Sequence, residues 1–143
     1  MPLMGPYCAS KYALESLTDA LRLELQPWGI HVSIVEPGSI ATPIWHKSQR
    51  AADKLSASVG PVAHGLYGEA IQKVRKAVDQ AAERAISPEA VVRAVLHALT
   101  VPRPKTRYLV GIDAKIRATM IKWLPDRLHD WLLTKILQIP ARG

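Results

Sequence analysis

The sequence predicts an α/β fold, and three neighbouring observations support this. Residues 7–28 carry leucines at helical spacing, a Pro-Trp-Gly tripeptide stops that pattern, and a run rich in β-branched residues follows at 30–35 before Glu-Pro-Gly. A helix, a tight connection and a buried strand in this order make one stretch of a βαβ unit, whose strands are parallel.

The predicted helix separates apolar from polar residues. Its apolar stripe consists of Leu14, Leu17, Leu21, Leu25 and Trp28. Charged residues between them, such as Glu15 and Asp19, are expected in more polar surroundings.

Two residues at the start of this helix form a candidate proton-transfer pair. Tyr7 and Lys11 are four positions apart, so they project from the same helix face one turn apart. A phenol ionises near pH ~10, and an ammonium held beside it favours the phenolate and lowers the phenol pKa. The pattern Tyr-x-x-x-Lys alone is common among ordinary helical residues, so the surrounding sequence must decide its meaning.

That surrounding sequence resembles the classical short-chain dehydrogenases/reductases. The matching parts are Tyr-x-Ala-Ser-Lys at 7–11, the helix through Glu24-Leu25, Ile30-x-Val32-x-x-Val35-x-Pro37-Gly38, and Ser39-Ile40-Ala41-Thr42-Pro43. They cover about residues 5–43 in the order and spacing of the family, and residues 88–112 match more loosely.

The resemblance implies an oxidoreductase that transfers a hydride between NAD or NADP and an alcohol/carbonyl pair. Tyr7 would exchange a proton with the substrate oxygen. Lys11 would lower the pKa of Tyr7 and hydrogen-bond the ribose beside the nicotinamide. The cofactor carries the hard chemical step, and the protein supplies position and proton.

The same resemblance assigns cofactor contacts to the segment after the predicted strand. Pro37 and Gly38 would shape a turn that brings backbone close to the nicotinamide. Ile40, through its backbone, and Thr42, through its hydroxyl, would contact the carboxamide. Tyr7 and Lys11 complete the implied cofactor-binding set.

The sequence departs from the family before Tyr7. Only six residues precede it, whereas the family's cofactor half lies entirely before the tyrosine. The 143 residues contain no Gly-x-x-x-Gly-x-Gly phosphate loop and no counterpart of the catalytic serine, for which Ser10 is no substitute. We therefore expect the C-terminal half of a Rossmann-like doubly wound parallel sheet, with the N-terminal cofactor half missing, and a fragment inactive alone.

A second hypothesis comes from a different functional class. The short chain would then be a non-catalytic, truncated product that acts as a dimerisation or interaction module. The helix from Tyr7 to Trp28 would be its contact surface, since the corresponding helices pair across dimers in the resembled family, which also implies a homo-oligomer for the full-length enzyme.

The remaining sequence predicts one domain at 1–112 and a tail. Residues 43–70 are rich in glycine and proline and predict a long loop with short helical turns. The family resemblance implies that this segment is the substrate loop, and its apolar residues either line a substrate pocket or pack the loop down. Helices are predicted at 69–85 and from Ser87-Pro88-Glu89 to about Thr100. Residues 106–112 resemble the family's last strand.

The tail, residues 113–143, predicts two amphipathic helices separated at Leu124-Pro125-Asp126. Tryptophans and basic residues along 113–139 suit packing or subunit contact, a lid over a lipophilic site, or peripheral membrane contact. Similar tails occur in the steroid- and retinol-type members of the family, which implies a bulky hydrophobic alcohol or ketone as substrate.

Composition narrows the alternatives. The net charge of +7 is dispersed without a dense Lys/Arg tract, which favours a solvated surface and no nucleic-acid partner. One cysteine, Cys8, excludes an internal disulfide and indicates a reducing, cytoplasmic setting, with membrane association as an option. The five histidines show no ligand spacing, so no metal site is predicted.

Overall fold

The computed structural model describes residues 3–58 and 60–137, apart from the side chains of Leu55 and Leu137. The last residues of the predicted tail, 138–143, lie outside the described residues. In chain order the elements are α1 (Gly5–Leu25), a 3₁₀ turn (Gln26–Trp28), β1 (Ile34–Pro37), α2 (Ile44–Ser58), α3 (Pro61–Glu83), α4 (Glu89–Thr100), β2 (Arg107–Val110), α5 (Ile112–Trp123) and α6 (Asp126–Leu137).

The two strands pair in parallel. Ile34 lies opposite Arg107 at one end and Pro37 lies opposite Val110 at the other. The Gly38 N–H extends the ladder by donating to the Val110 carbonyl oxygen at 2.9 Å. A small parallel sheet among helices is the α/β arrangement that the sequence predicts.

Helices lie on both faces of this sheet. Successive residues of a strand point to opposite faces, so Arg107 and Tyr108 mark the two sides. The Arg107 side chain reaches Glu15 and Asp19 of α1, whereas the buried Tyr108 hydroxyl bonds His97 Nδ1 of α4 at 2.9 Å. Because a crossover helix covers one face of a parallel sheet, α1 and α4 enclose the strands between them.

The first strand begins later than predicted. Residues 30–36 were expected to be extended, but β1 starts at Ile34. Gly29 adopts a left-handed conformation, φ 69°, and the Ile30 N–H still donates to the Leu25 carbonyl oxygen at 3.4 Å. The first residues of the apolar run therefore complete the end of α1 before the chain enters the sheet.

The prediction of a long loop at 43–70 is wrong, because α2 and α3 occupy most of it. Gly60 is the extended residue before α3, and Pro61 opens that helix, so a glycine-proline-type pair that suggested a loop marks a helix start. Gly65 and Gly68 lie inside α3 and are tolerated there at a cost of about 1 kcal/mol each relative to alanine. The helix predicted at 69–85 accordingly begins at Pro61.

The C-terminal helices follow the predicted pattern. Helix α4 runs from Glu89 to Thr100, and Pro125 separates α5 from α6. The Leu124 N–H donates to the Met120 carbonyl oxygen and closes α5, and the His129 N–H donates to the Pro125 carbonyl oxygen and opens α6. Among the described helices, none is both long and apolar enough to cross a membrane.

Candidate active site

Tyr7 and Lys11 contact each other on the first turns of α1. Pro6 lies in the first turn, where its missing N–H has no helical partner to lose. The Lys11 Nζ lies 5.3 Å from the centroid of the Tyr7 ring, and Tyr7 is 55% exposed. The Ser10 hydroxyl donates to the Tyr7 carbonyl oxygen at 2.7 Å and is thus directed to the helix backbone. The structure therefore brings the predicted pair together with its phenol accessible.

The turn after β1 is held by backbone hydrogen bonds on both sides. Gly38 donates to Val110, as described above, and the Ser39 carbonyl oxygen accepts from the Ile86 N–H at 2.9 Å. The Ala41 N–H donates back to the Ile86 carbonyl oxygen, also at 2.9 Å. These bonds fix the path of the backbone where the sequence predicts a cofactor contact.

Ile40 faces away from this bridge. Since the bonds to Ile86 use the groups of Ser39 and Ala41, the N–H and carbonyl of Ile40 point to the opposite side. The Ile40 carbonyl oxygen accepts from Trp45 Nε1 at 2.7 Å. The Ile40 N–H is therefore directed away from Ile86, and the half-buried Thr42 lies two residues further on.

Asp113, which the sequence analysis did not single out, contacts the same turn. The Ser39 N–H donates to Asp113 Oδ2 at 2.6 Å, and a Cβ built on Gly38 would overlap the Asp113 carboxylate. Partial desolvation acts to raise the pKa of Asp113, but hydrogen bonds from the Ser39 backbone and hydroxyl outweigh it and hold that pKa below 3.8. An acidic residue in the first turn of the helix after the last strand was the available sequence signal.

A second unpredicted group joins α1 to the sheet. Arg107 donates to Glu15 Oε2 at 2.9 Å, to Asp19 Oδ2 at 2.8 Å and to Glu36 Oε1 at 2.7 Å. Hydrogen bonding to Glu15 and the other carboxylates raises the pKa of Arg107 above its ordinary value. Bonds from Arg22 and Arg107 lower the pKa of Asp19. We call these four residues, Arg107, Glu15, Asp19 and Glu36, the Arg107 cluster.

The Arg107 cluster orients α1 with charged residues toward the sheet and leucines outward. Leu17 is 57% exposed and Trp28 is 72% exposed, whereas Glu15 and Asp19 are half-buried. The leucine stripe that the sequence predicts is thus an outer face of the described structure. Within residues 3–58 and 60–137, no group of three or more His, Cys, Asp or Glu side chains could hold a metal ion.

Comparison with known proteins gives a family match over the part of the chain that contains Tyr7, Lys11 and the turn after β1. Residues 1–53 match the family model of the short chain dehydrogenases, a range that contains the Tyr7–Lys11 pair and the turn after β1. Retinol dehydrogenase 5 of Mus musculus is 39% identical over 144 residues, which cover 97% of this chain and 45% of that protein.

Two further relatives extend the comparison. An NADPH-dependent 3-dehydrocapnine reductase of Ornithobacterium rhinotracheale is 34% identical over 137 residues, 96% of this chain and 46% of that protein. The 17-beta-hydroxysteroid dehydrogenase type 6 of Homo sapiens is 32% identical over 147 residues, 98% of this chain and 45% of that protein. The chain spans about half the length of the relatives it matches. It belongs to the short-chain dehydrogenase/reductase family.

Proposed function

We propose that this chain supplies the proton-transfer pair and the nicotinamide-contacting turn of an NAD(P)-dependent oxidoreductase that interconverts a hydrophobic alcohol and ketone. The observation that carries the proposal is the contact between Lys11 Nζ and the Tyr7 ring, 5.3 Å from its centroid, at the accessible start of α1. Residues 1–112 form the C-terminal half of the dinucleotide-dependent domain in this proposal, and residues 113–143 are an appended helical tail.

The direction of α1 supports this assignment. Arg107 Nη1 contacts both Glu15 and Glu36, whereas Nη2 contacts Asp19. Glu15 therefore lies on the Glu36 side of the cluster. The step along α1 from Asp19 to Glu15 thus has the same direction as the step along β1 from Ile34 to Glu36. Tyr7 lies eight residues, about 12 Å, further in that direction. The pair therefore extends toward the carboxyl ends of the strands, where parallel α/β sheets bind their ligands.

The proposed chemistry uses the two side chains in different roles. The Tyr7 hydroxyl gives its proton to the oxygen of a ketone, or takes the proton of an alcohol in the reverse direction. The Lys11 ammonium stabilises the phenolate that proton transfer leaves. A bound nicotinamide would supply or accept the hydride, and the Ile40 N–H would hold its carboxamide. Either NAD or NADP satisfies these contacts.

The relatives' names support the proposed substrate class. One is a retinol dehydrogenase and another a 17-beta-hydroxysteroid dehydrogenase, whose named substrates are bulky lipophilic alcohols. The exposed apolar residues of α5 around Trp123 and Ile116 offer further contact surface of the same character. We therefore assign a bulky hydrophobic alcohol or ketone as the substrate of the complete enzyme.

A chimera tests the proposal. The aligned segment of mouse retinol dehydrogenase 5 is replaced by this chain, and reduction of NAD and NADP with retinol is followed by nicotinamide absorbance. The chain alone is assayed beside it, and we expect turnover from the chimera only, because the 143 residues lack a glycine-rich phosphate loop. A folded chimera that binds nicotinamide but transfers no hydride would contradict the proposal.

One observation favours dimerisation as a second function of the chain. The outer face of α1 exposes Leu14, Leu17 and Leu21, and contiguous apolar surface of this kind marks protein contacts. Sedimentation should show a concentration-dependent dimer that Leu17→Arg dissociates. Leu66→Arg, at an exposed leucine of α3, is the matched control. A monomeric wild-type chain would exclude this function.

The tail supports a peripheral membrane contact. Trp123 is 72% exposed, and Lys122 Nζ lies 5.5 Å from its ring centroid; Lys135 lies 5.1 Å from Trp131 in the same way. Tryptophan with adjacent lysine suits an anionic lipid interface. The chain should float with vesicles containing phosphatidylserine and less with phosphatidylcholine alone. Trp123→Ala should weaken flotation, and the control Trp28→Ala should not.

A further inference from the structure

We propose that Asp113 is a positioning residue that fixes the turn Pro37–Gly38–Ser39 and thereby places the backbone that contacts the nicotinamide. The inference rests on the proposed function, since it concerns the same cofactor turn. Asp113 lies 74 residues beyond Ser39 in sequence, on the first turn of α5, and neither the family motif nor the strand pattern points to it.

The hydrogen bond is the first observation. The Ser39 N–H follows directly after Gly38 and donates to Asp113 Oδ2 at 2.6 Å. The short distance and the ionised acceptor identify a charge-assisted bond, which is stronger than a bond between neutral groups. The Ser39 hydroxyl also contributes to lowering the pKa of this carboxylate.

Steric exclusion at Gly38 is the second, independent observation. The space that a Cβ of residue 38 would fill is occupied by the Asp113 carboxylate. Gly38 does not require a left-handed backbone, since its φ lies outside the positive range, so the need for glycine comes from the carboxylate rather than from the turn conformation. The turn and Asp113 therefore fit each other closely.

The path of the chain explains how Asp113 reaches the turn. Gly111, at φ 104°, bends the backbone between the end of β2 and the start of α5. Because β2 pairs in parallel with β1, the residues after Val110 emerge beside the residues after Pro37. A first-turn aspartate on α5 is thus delivered to the outgoing turn of the neighbouring strand.

Opposite Asp113, the turn is already fixed. Ile86 binds the backbone of Ser39 and Ala41, and Trp45 binds the carbonyl oxygen of Ile40. Asp113 accepts the hydrogen bond of a further donor, the Ser39 N–H, on the residue next to Ile40. Loss of Asp113 would leave the segment between the strand and Ile40 held only by the bonds to Ile86 and Trp45, so the direction of the Ile40 N–H would be fixed less closely.

The hydrogen bond can be tested on this chain without any cofactor. Amide hydrogen exchange at Ser39 is measured by NMR for the wild type, Asp113→Ala and Asp113→Asn. We expect Asp113→Ala to accelerate exchange at Ser39 roughly tenfold, a value toward the lower range for such bonds because solvent reaches Asp113. The Ser39 exchange rate in Asp113→Asn should lie between those of the wild type and Asp113→Ala, since the asparagine amide oxygen can accept the same hydrogen bond. Asp126→Ala, which removes a first-turn aspartate from α6, should change nothing at Ser39.

The consequence for the cofactor is measured in the retinol dehydrogenase chimera. Asp113→Ala should raise the KM for the nicotinamide cofactor several-fold, roughly three- to tenfold, and leave the KM for retinol unchanged. A merely structural loss would lower the amount of active enzyme and leave both KM values where they were. Asp126→Ala is again the control.

Each adverse result identifies what has failed. Unchanged Ser39 exchange in Asp113→Ala would overturn the positioning role at its first step. Faster exchange with an unchanged cofactor KM in an active chimera would overturn it at the second. A wild-type chimera that transfers no hydride would contradict the proposed function itself, and the positioning role would fall with it.

Discussion

Arg107, the first residue of β2, donates from Nη1 to Glu36 Oε1 across the two strands at 2.7 Å. The same nitrogen donates to Glu15 Oε2 on α1 at 2.9 Å. One guanidinium therefore ties both strands to the helix that carries Tyr7 and Lys11. Since the three carboxylates repel one another without it, we regard Arg107 as the residue that sets the position of α1 on the sheet.

Arg107→Met should lower stability and activity together. The substitution keeps an unbranched side chain but leaves Glu15, Asp19 and Glu36 facing one another without a cation. Because solvent partly screens the group, we expect a loss of about 1–2 kcal/mol in the free energy of unfolding, measured by urea denaturation. The exposed Arg103→Met is the control. Equal stability of the two variants would show that the Arg107 cluster does not fasten α1.

Gly38→Ala and Asp113→Ala should be non-additive. In the wild type a methyl at position 38 displaces the Asp113 carboxylate and breaks its bond to Ser39. In an Asp113→Ala background the same methyl has room, so the cost of Gly38→Ala should shrink by about 1 kcal/mol in a double-mutant cycle. Gly29→Ala, at φ 69° with open space around it, should cost the same in both backgrounds. Additive costs for Gly38→Ala would contradict the contact.

Asp113 also predicts a pH dependence of stability. Its folded pKa lies below the ordinary value of 3.8, so its contribution is fully present above that value and is lost as the pH falls through the folded pKa. The stability difference between wild type and Asp113→Asn should be constant from neutrality to about pH 5 and shrink toward about pH 3. A difference that grows on acidification would reverse the sign and contradict the assignment.

Trp45 connects the turn after β1 to α2, the first helix of the segment to which the family resemblance assigns substrate binding. Trp45→Phe keeps an aromatic side chain and removes the indole N–H that donates to the Ile40 carbonyl oxygen at 2.7 Å. We expect the free energy of unfolding to fall by about 1 kcal/mol, and amide hydrogen exchange, measured by NMR, to be faster in the first turn of α2. Trp28→Phe, at an exposed tryptophan outside this contact, should have neither effect. Unchanged exchange in α2 would mean that the bond does not hold the helix start.

Local sequence patterns predicted the elements whose determinants are local. The spacing of Tyr7 and Lys11 gave their contact, and Pro125 gave the break between α5 and α6. The loop prediction at 43–70 failed because a glycine followed by a proline, as at Gly60 and Pro61, occurs both where a helix ends and where one begins.

The Arg107 cluster and the Asp113 contact could not be predicted in this way. The Arg107–Glu15 bond spans 92 residues, and the Asp113–Ser39 bond spans 74. Such pairs exist only once the parallel strands are aligned, and that alignment is a property of the whole sheet. Helical and strand periodicity do not predict how the strands align.

The measurement that tests the central claim most directly is turnover of retinol by the chimera with Tyr7→Phe. This change removes the proton-transferring hydroxyl and keeps the ring that Lys11 contacts. We predict a fall in kcat of roughly 100-fold or more with cofactor binding retained, and wild-type turnover for Tyr12→Phe, an exposed tyrosine on the same helix. Turnover in Tyr7→Phe equal to that of the wild type would contradict the assignment of Tyr7 as the acid/base.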